Sequence, residues 1–256
     1  MDKSLEGKTV LITGGANNLG AAVAADLAHN GVGAIAIHYH SEKSRKDAEV
    51  TEAVLKSNGV KTAVLTGDLR TAGAMTTLFD QAEDVIGKID IGIHTVGKVI
   101  RKPIVEISES EYDHMFDVNA KSTFFFLKEC GQRMNDHGRI VTIATSLLGA
   151  FTGLYSTYGG AKAPLEHFTR AAAKEFGERG ISVNAVAPGP MDTEFFYPAE
   201  NPKSIAMHKM LTALSDYSST GLTDVEDIVP YIRMIVSEGW WMTGQTVLIN
   251  GGYTHK

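Results

Sequence analysis

Apolar residues fall in short dense runs along the chain, separated by longer stretches of amphipathic spacing. The runs are 8–13 (KTVLIT), 33–40 (GAIAIHYH), 61–68 (KTAVLTGD), 90–97 (DIGIHTVG), 138–145 (GRIVTIAT), 181–189 (ISVNAVAPG) and 245–250 (QTVLIN). Most are near-continuously apolar rather than alternating, the pattern of strands covered on both faces. Between them, 19–31, 41–59, 72–87, 110–134 and 155–180 carry apolar residues at helical spacing. Gly31 and the pair Asn58-Gly59 read as helix stops. The stretch 155–180 is predicted as one helix despite Gly159, Gly160 and Pro164 inside it. Strand–helix alternation predicts an α/β fold: a doubly wound sheet of about seven parallel strands with helices on both faces.

No repeat, low-complexity tract or linker interrupts this order, so residues 1–256 are expected to form one domain. Its least regular part, about 190–220, lies between the last two strands. Ligands of open parallel sheets bind beyond the carboxyl ends of the strands, so this insertion reads as a substrate lid. Hydrophobic residues make up 43% and charged residues 21%, ordinary for a globular protein. The formal net charge of -6 gives no basic stripe for nucleic acid. No apolar stretch approaches the length of a membrane span, and MDKSLEGKTVLITGG lacks the apolar core of a secretion signal. A single cysteine, Cys130, excludes an intrachain disulfide and fits a reducing, cytoplasmic setting. It reads as a small apolar filler more readily than as a reactive thiol. The nine histidines show no HExxH spacing, and His38 and His40 suggest no third ligand, so no metal is expected.

Two motifs carry chemistry. TGGANNLG, Thr13 to Gly20, sits at the first strand–helix junction. Glycines there let backbone amides approach a pyrophosphate, and a helix N-terminus adds a positive dipole end. The second is YSTYGGAK. Tyr158 and Lys162 are four apart and share a helix face, whereas Tyr155 stands two turns from the lysine, roughly 10 Å by helix rise. A free phenol titrates near 10; a neighbouring ammonium is expected to lower that value and make Tyr158 a workable acid/base. Tyr155 reads as a pocket wall or a packing residue.

In this order the motifs resemble the classical short-chain dehydrogenase/reductase family, over about Gly7 to Tyr253. Thr13, Gly14 and Gly20 match its glycine turn, with Asn18 in place of the middle glycine; Asn tolerates left-handed backbone best among non-glycine residues. The resemblance implies hydride transfer between a nicotinamide and a carbonyl or alcohol carbon, with Ser146, Tyr158, Lys162 and Asn119 as catalytic residues. Ser146 lies twelve positions before Tyr158; a spacing of thirteen would select Thr145, while the flanking SLLG pattern favours Ser146. The cofactor is expected to contact Gly14, Asn17, Asn18, Leu19 and Gly20 at the turn. Tyr39, Ser41, Asp68, Leu69 and Gly97 are expected at its adenosine half, with Val96 packing nearby, and Pro188, Gly189 and Thr193 at the nicotinamide, beside Tyr158 and Lys162. HTVG, 94–97, keeps only the glycine of the family's Asn-Asn-Ala-Gly, so that motif's stabilising role must be met differently. No carboxylate ends the second strand, and Ser41, Lys43 and Arg45 could meet a ribose phosphate, which favours NADP(H) over NAD(H). Leu148, Phe151, Tyr155, Phe195 and Phe196 are expected to line a pocket for an apolar or aromatic ketone, with 3-oxoacyl thioesters as the alternative. Trp240 and Trp241 could serve the pocket or a subunit contact. The resemblance also implies a homotetramer or dimer. A non-catalytic nucleotide sensor of the same fold would be expected to lose one of the catalytic residues, and all are present.

Overall fold

A computed structural model describes residues 3–150 and 152–254. Among these, seven strands form one parallel sheet: β1 (Thr9–Thr13), β2 (Ala34–Tyr39), β3 (Lys61–Thr66), β4 (Ile91–His94), β5 (Arg139–Ile143), β6 (Ser182–Pro188) and β7 (Thr246–Ile249). Their order is β3-β2-β1-β4-β5-β6-β7. Central β1 pairs Val10 with Ile35 on one side and with Ile91 on the other. Every residue of β2, β4, β5 and β6 is buried, which is why these strands read as unbroken apolar runs.

Helices α1 (Asn18–His29), α2 (Arg45–Ser57) and α9 (Val225–Val236) cover one face. There Val23 and Leu27 pack with Ile12, Leu55, Ile228 and Ile232. Helices α3 (Ala72–Ile86), α5 (Ser122–Arg133) and α7 (Pro164–Glu175) cover the other, with Phe79, Phe126 and Cys130 against Leu11 and Ile140. Cys130 is fully buried, and burial raises its thiol pKa, the filler expected.

Two predicted helices differ in detail. The stretch 110–134 is α4 (Glu109–Phe116), a π-turn at Asp117–Lys121, then α5. Ser108 and Glu111 form a reciprocal capping box at its start. The stretch 155–180 is divided into α6 (Ser156–Lys162) and α7. Pro164 opens α7; a proline at a helix start loses no hydrogen bond, whereas inside a helix it breaks one.

The strand order reverses between β1 and β4, and a cavity opens there beyond the carboxyl ends of the strands. The segment after β6 folds over it. Met191 bridges to Thr223, and α8 (Pro202–Leu211) lies between them. Trp240 and Trp241 pack edge to face on each other and line no part of this cavity. No helix among the described residues is long and apolar enough to cross a membrane, and no cluster of three potential metal ligands occurs among them.

Candidate active site

The turn after β1 is set by three backbone constraints. Gly14 has φ +73° and Asn18 φ +47°, so Asn18 adopts the left-handed geometry its identity suggested. A Cβ on Gly20 would lie 2.2 Å from the Gly14 carbonyl oxygen, so the helix can press this closely on the turn only through a glycine. Thr95 locks the arrangement, its hydroxyl donating to the carbonyls of Thr13 (2.8 Å) and Gly14 (3.2 Å). Asn17, at the N-cap of α1, makes no side-chain cap bond, and the first turn holds no acidic residue. The leading amides of α1 are thereby left for an anion.

At the end of β2, Tyr39 and His40 line the cavity, with Asp68, Leu69 and Arg70 beside them. Ser41 does not; Ser44 stands there instead, because Ser41 precedes a short 3₁₀ turn over Glu42–Ser44. Arg45 pairs with Glu42 (3.3 Å) and Glu49 (3.2 Å) and does not line the cavity. Arg70 went unnoticed in the sequence. Its Nε donates to both carboxylate oxygens of Asp68, at 2.9 and 2.8 Å, and holds that carboxyl below its ordinary pKa. The signal was available as a basic residue two positions after the strand-end Asp.

The lost Asn of HTVG is replaced by a histidine network. His94 is buried, and burial drives its pKa well down, so the ring is neutral. Ser122 spends its proton on the Val118 carbonyl, so His94 Nε2 donates to Ser122 Oγ (3.1 Å) and Thr13 Oγ1 donates to Nδ1 (2.7 Å). The ring thus ties β4 to β1 and to α5.

Tyr158, Lys162, Ser146 and Thr145 all face the cavity. Lys162 is buried and donates from Nζ to the Ile143 carbonyl at 2.6 Å. Ser146 donates to the Ala187 carbonyl (3.0 Å); Thr145 accepts from the Leu147 amide (3.3 Å), and its hydroxyl lowers the Tyr158 phenol pKa against the effect of burial. Asn119 lies in the π-turn behind the cavity wall. Its Oδ1 accepts from the Lys98 amide (3.1 Å), and its Nδ2 donates to the carbonyls of Lys98 and Met115 (both 2.9 Å). A Cβ on Gly97 would lie 3.1 Å from Asn119 Oδ1 and 3.3 Å from Lys162 Nζ, so the glycine keeps these groups close together.

One expectation is reversed. Burial pushes the Tyr158 phenol up to about 12, opposed only by Thr145, and pushes Lys162 down to about 7. The lysine loses its charge before it can lower the phenol. A lysine that titrates near 10.5 unfolded and about 7 folded makes the unfolded chain bind more protons in between, so stability rises with pH across that window. Below pH 7 both states are protonated and the penalty of burying the ammonium is complete. The melting-temperature difference between the protein and Lys162→Met is therefore expected to shift in favour of the lysine from pH 7 to 9.5. A difference independent of pH would place the lysine pKa near its ordinary value.

Toward the substrate end, Leu147, Tyr155, Phe195 and Phe196 line the cavity. Leu148 does not: the 3₁₀ turn over Ser146–Gly149 points it at Ala144, Ala185 and Ala187. Phe151 lies outside the described residues. Glu200, His208 and Tyr253 were not foreseen, yet all three face the cavity. Tyr155 donates to Glu200 Oε1 and sits 3.1 Å from His208 Nε2.

Bare glycine turns and an uncapped helix start suit the pyrophosphate of a dinucleotide. Pro188, Gly189 and Thr193, which also face the cavity, suit a nicotinamide close to Tyr158. A family model described as enoyl-(acyl carrier protein) reductase matches residues 14–254. Among curated relatives, the short chain dehydrogenase mdpC of Emericella nidulans is 30% identical over 97% of this chain and 96% of its own. The hydroxynaphthalene reductase-like protein Arp2 of Metarhizium brunneum is 29% identical over 98% and 96%. Among solved structures, a Burkholderia cenocepacia protein assigned as a dehydrogenase and bound to NADP is 59% identical with a TM-score of 0.99, over 100% of this chain and 97% of its own. A blue fluorescent protein from a metagenomic library, in complex with NADPH, is 27% identical with a TM-score of 0.88, over 98% and 100%. With these matches spanning sheet, turn and cavity alike, the chain belongs to the classical short-chain dehydrogenase/reductase family of oxidoreductases.

Proposed function

We propose that the protein is an NADP(H)-dependent reductase of carbonyl compounds, acting reversibly, with Tyr158 as the acid/base. The observation that carries this reading is the convergence of Ser146, Tyr158 and Lys162 on one cavity, with a phenol that keeps its proton until about pH 12. The phenol holds its proton at neutral pH, and the alkoxide that forms on the carbonyl oxygen is basic enough to take it. When bound, the reduced nicotinamide supplies hydride to the carbonyl carbon. Tyr158 and Ser146 hydrogen-bond the oxygen and stabilise the negative charge that grows on it. Lys162 binds the nicotinamide ribose, and Asn119, by fixing the backbone at Lys98, supports a proton path past the lysine.

NADP(H) is favoured because Tyr39, His40 and Ser44 stand where a ribose-binding carboxylate would be needed for NAD(H). The NADP and NADPH of the two structural neighbours support the same choice. The substrate is an apolar or aromatic ketone, seated against Leu147, Phe195 and Phe196. The alternative, a 3-oxoacyl thioester, is supported by the acyl-carrier-protein wording of the matching family. The reading includes a cytoplasmic homotetramer or dimer.

The test is steady-state oxidation of NADPH and NADH with a panel of ketones and 3-oxoacyl thioesters. Turnover with NADPH at least about tenfold more efficient than with NADH is expected, a difference near 1.4 kcal/mol. Turnover with NADH alone would overturn the cofactor assignment. Tight nucleotide binding without turnover of any carbonyl would point to a nucleotide sensor.

A further inference from the structure

Four polar side chains close the substrate end of the cavity. Tyr155 precedes α6, Glu200 and His208 come from the segment over the cavity, and Tyr253 follows β7. The Glu200 side chain is 1% exposed and that of His208 2%. Nothing in the acid/base chemistry uses them, and burying such groups is costly unless they are hydrogen-bonded.

Their protons can be followed one by one. Tyr155 spends its hydroxyl proton on Glu200 Oε1. Its oxygen must then accept from His208 Nε2 at 3.1 Å. A neutral imidazole with its proton on Nε2 accepts at Nδ1, and there Tyr253 Oη lies at 2.9 Å and donates. The histidine is neutral because burial lowers its pKa, helped by Arg101 and opposed by Glu200. Arg101 stands behind the carboxylate, with Nε 3.4 Å from Glu200 Oε2, and balances its charge without lining the cavity. Every proton of the four cavity-facing groups is therefore committed. What remains is lone pairs, on Tyr253 Oη, Tyr155 Oη and the Glu200 carboxylate, whose Oε1 already takes the Tyr155 proton and whose Oε2 has no hydrogen-bond partner. The cluster can accept from a ligand but has nothing to donate.

We propose that this end of the cavity is a subsite for a hydrogen-bond donor, so that the preferred substrate is a largely apolar carbonyl compound bearing a hydroxyl group away from the reacting carbon. The proposal rests on the carbonyl-reductase reading above. Leu147, Phe195 and Phe196 cover the substrate's apolar body, while the hydroxyl donates into the Tyr155–Glu200–His208–Tyr253 cluster. Because Arg101 offsets Glu200, the site suits a neutral hydroxyl rather than a free cation or carboxylate.

The test measures equilibrium binding of 1-tetralone, its ring-hydroxylated analogues and the matching methoxy compounds to the NADP complex, by calorimetry, beside NADPH turnover of the same ketones. A methoxy group keeps the acceptor and loses the donor. At least one hydroxylated analogue is expected to bind about tenfold or more tightly than its methoxy counterpart, as a site built to hydrogen-bond a hydroxyl discriminates. That ratio is expected to fall to within about threefold in Tyr155→Phe or Tyr253→Phe, each of which removes one accepting oxygen. Equal binding of hydroxy, methoxy and parent ketones by the unmodified protein would overturn the subsite, as would a hydroxyl preference that survives both variants. Turnover without hydroxyl preference would remove the subsite and leave carbonyl reduction standing. Hydroxyl-dependent binding without turnover would do the reverse.

Discussion

Replacing Tyr158 with phenylalanine is expected to lower kcat/KM for carbonyl reduction by about 10²–10⁴-fold, the range a lost general acid gives, while NADPH still binds. The substitution deletes one oxygen. The ring keeps its place, because Tyr158 packs with Met115 and Tyr155 and against Val99, Ile100 and Leu147. Stability should change little, since burial without an ion pair is what drives the phenol up to about 12. The same shift makes a second, separable statement. The phenol stays protonated through the alkaline range, so Tyr158 alone should not make the reduction rate fall between pH 7 and 10; the inflection to expect there belongs to Lys162, near 7. Single-turnover NADPH oxidation, with nucleotide binding followed by fluorescence, separates chemistry from binding. A variant that turns over at the parent rate would remove Tyr158 from the reaction. Ser146→Ala beside Thr145→Val then asks which hydroxyl partners the phenol in the reaction, since both face the cavity and neither is hydrogen-bonded to it here.

What the sequence made legible was local or periodic. The strand runs, most of the helix spacing and the Tyr158–Lys162 pair depend on residues a few positions apart, and they are found where their period placed them, apart from the π-turn at Asp117–Lys121 and the break before Pro164. Asn18 in the left-handed region follows from one residue's backbone tolerance. What could not be read depends on long-range assembly. The Tyr155–Glu200–His208–Tyr253 cluster joins positions up to 98 apart in sequence; its link between Tyr155 and His208 alone spans 53. No short window holds more than two of its members. The direction of the Tyr158 shift is hidden from the sequence for the same reason: spacing shows that a lysine is near, but only the packed fold shows that both groups are dry, and desolvation then sets both shifts. Leu147 in place of Leu148, and Ser44 in place of Ser41, are errors of one and three residues at 3₁₀ turns. There a small rotation of the chain decides which side chain meets the cavity.

Gly20→Ala is expected to weaken NADPH binding at least about tenfold and to destabilise the fold by roughly 1–3 kcal/mol, as overpacking does. In a chain of this size that lowers the melting temperature by about 2–4 °C per kcal/mol. An alanine inside a helix ordinarily gains up to about 1 kcal/mol over glycine, so the predicted sign runs against propensity. The reason is steric. The added Cβ would stand 2.2 Å from the Gly14 carbonyl oxygen, 2.8 Å from the Gly14 carbonyl carbon and 2.9 Å from the Gly15 Cα. All three are backbone atoms of the turn, with no flexible side chain to yield. Relief requires α1 to move off the turn, and that displaces the leading amides on which the pyrophosphate depends. Gly73→Ala supplies the contrast. Gly73 lies in α3, is exposed, and has nothing within 4 Å of the position its Cβ would take. There propensity should prevail, with a gain of about 0.4–1 kcal/mol and unchanged nucleotide affinity. Thermal unfolding and NADPH titration of the two variants side by side decide the matter. If Gly20→Ala were as stable as Gly73→Ala and bound nucleotide as tightly as the parent, the turn would not be the cofactor cradle described above.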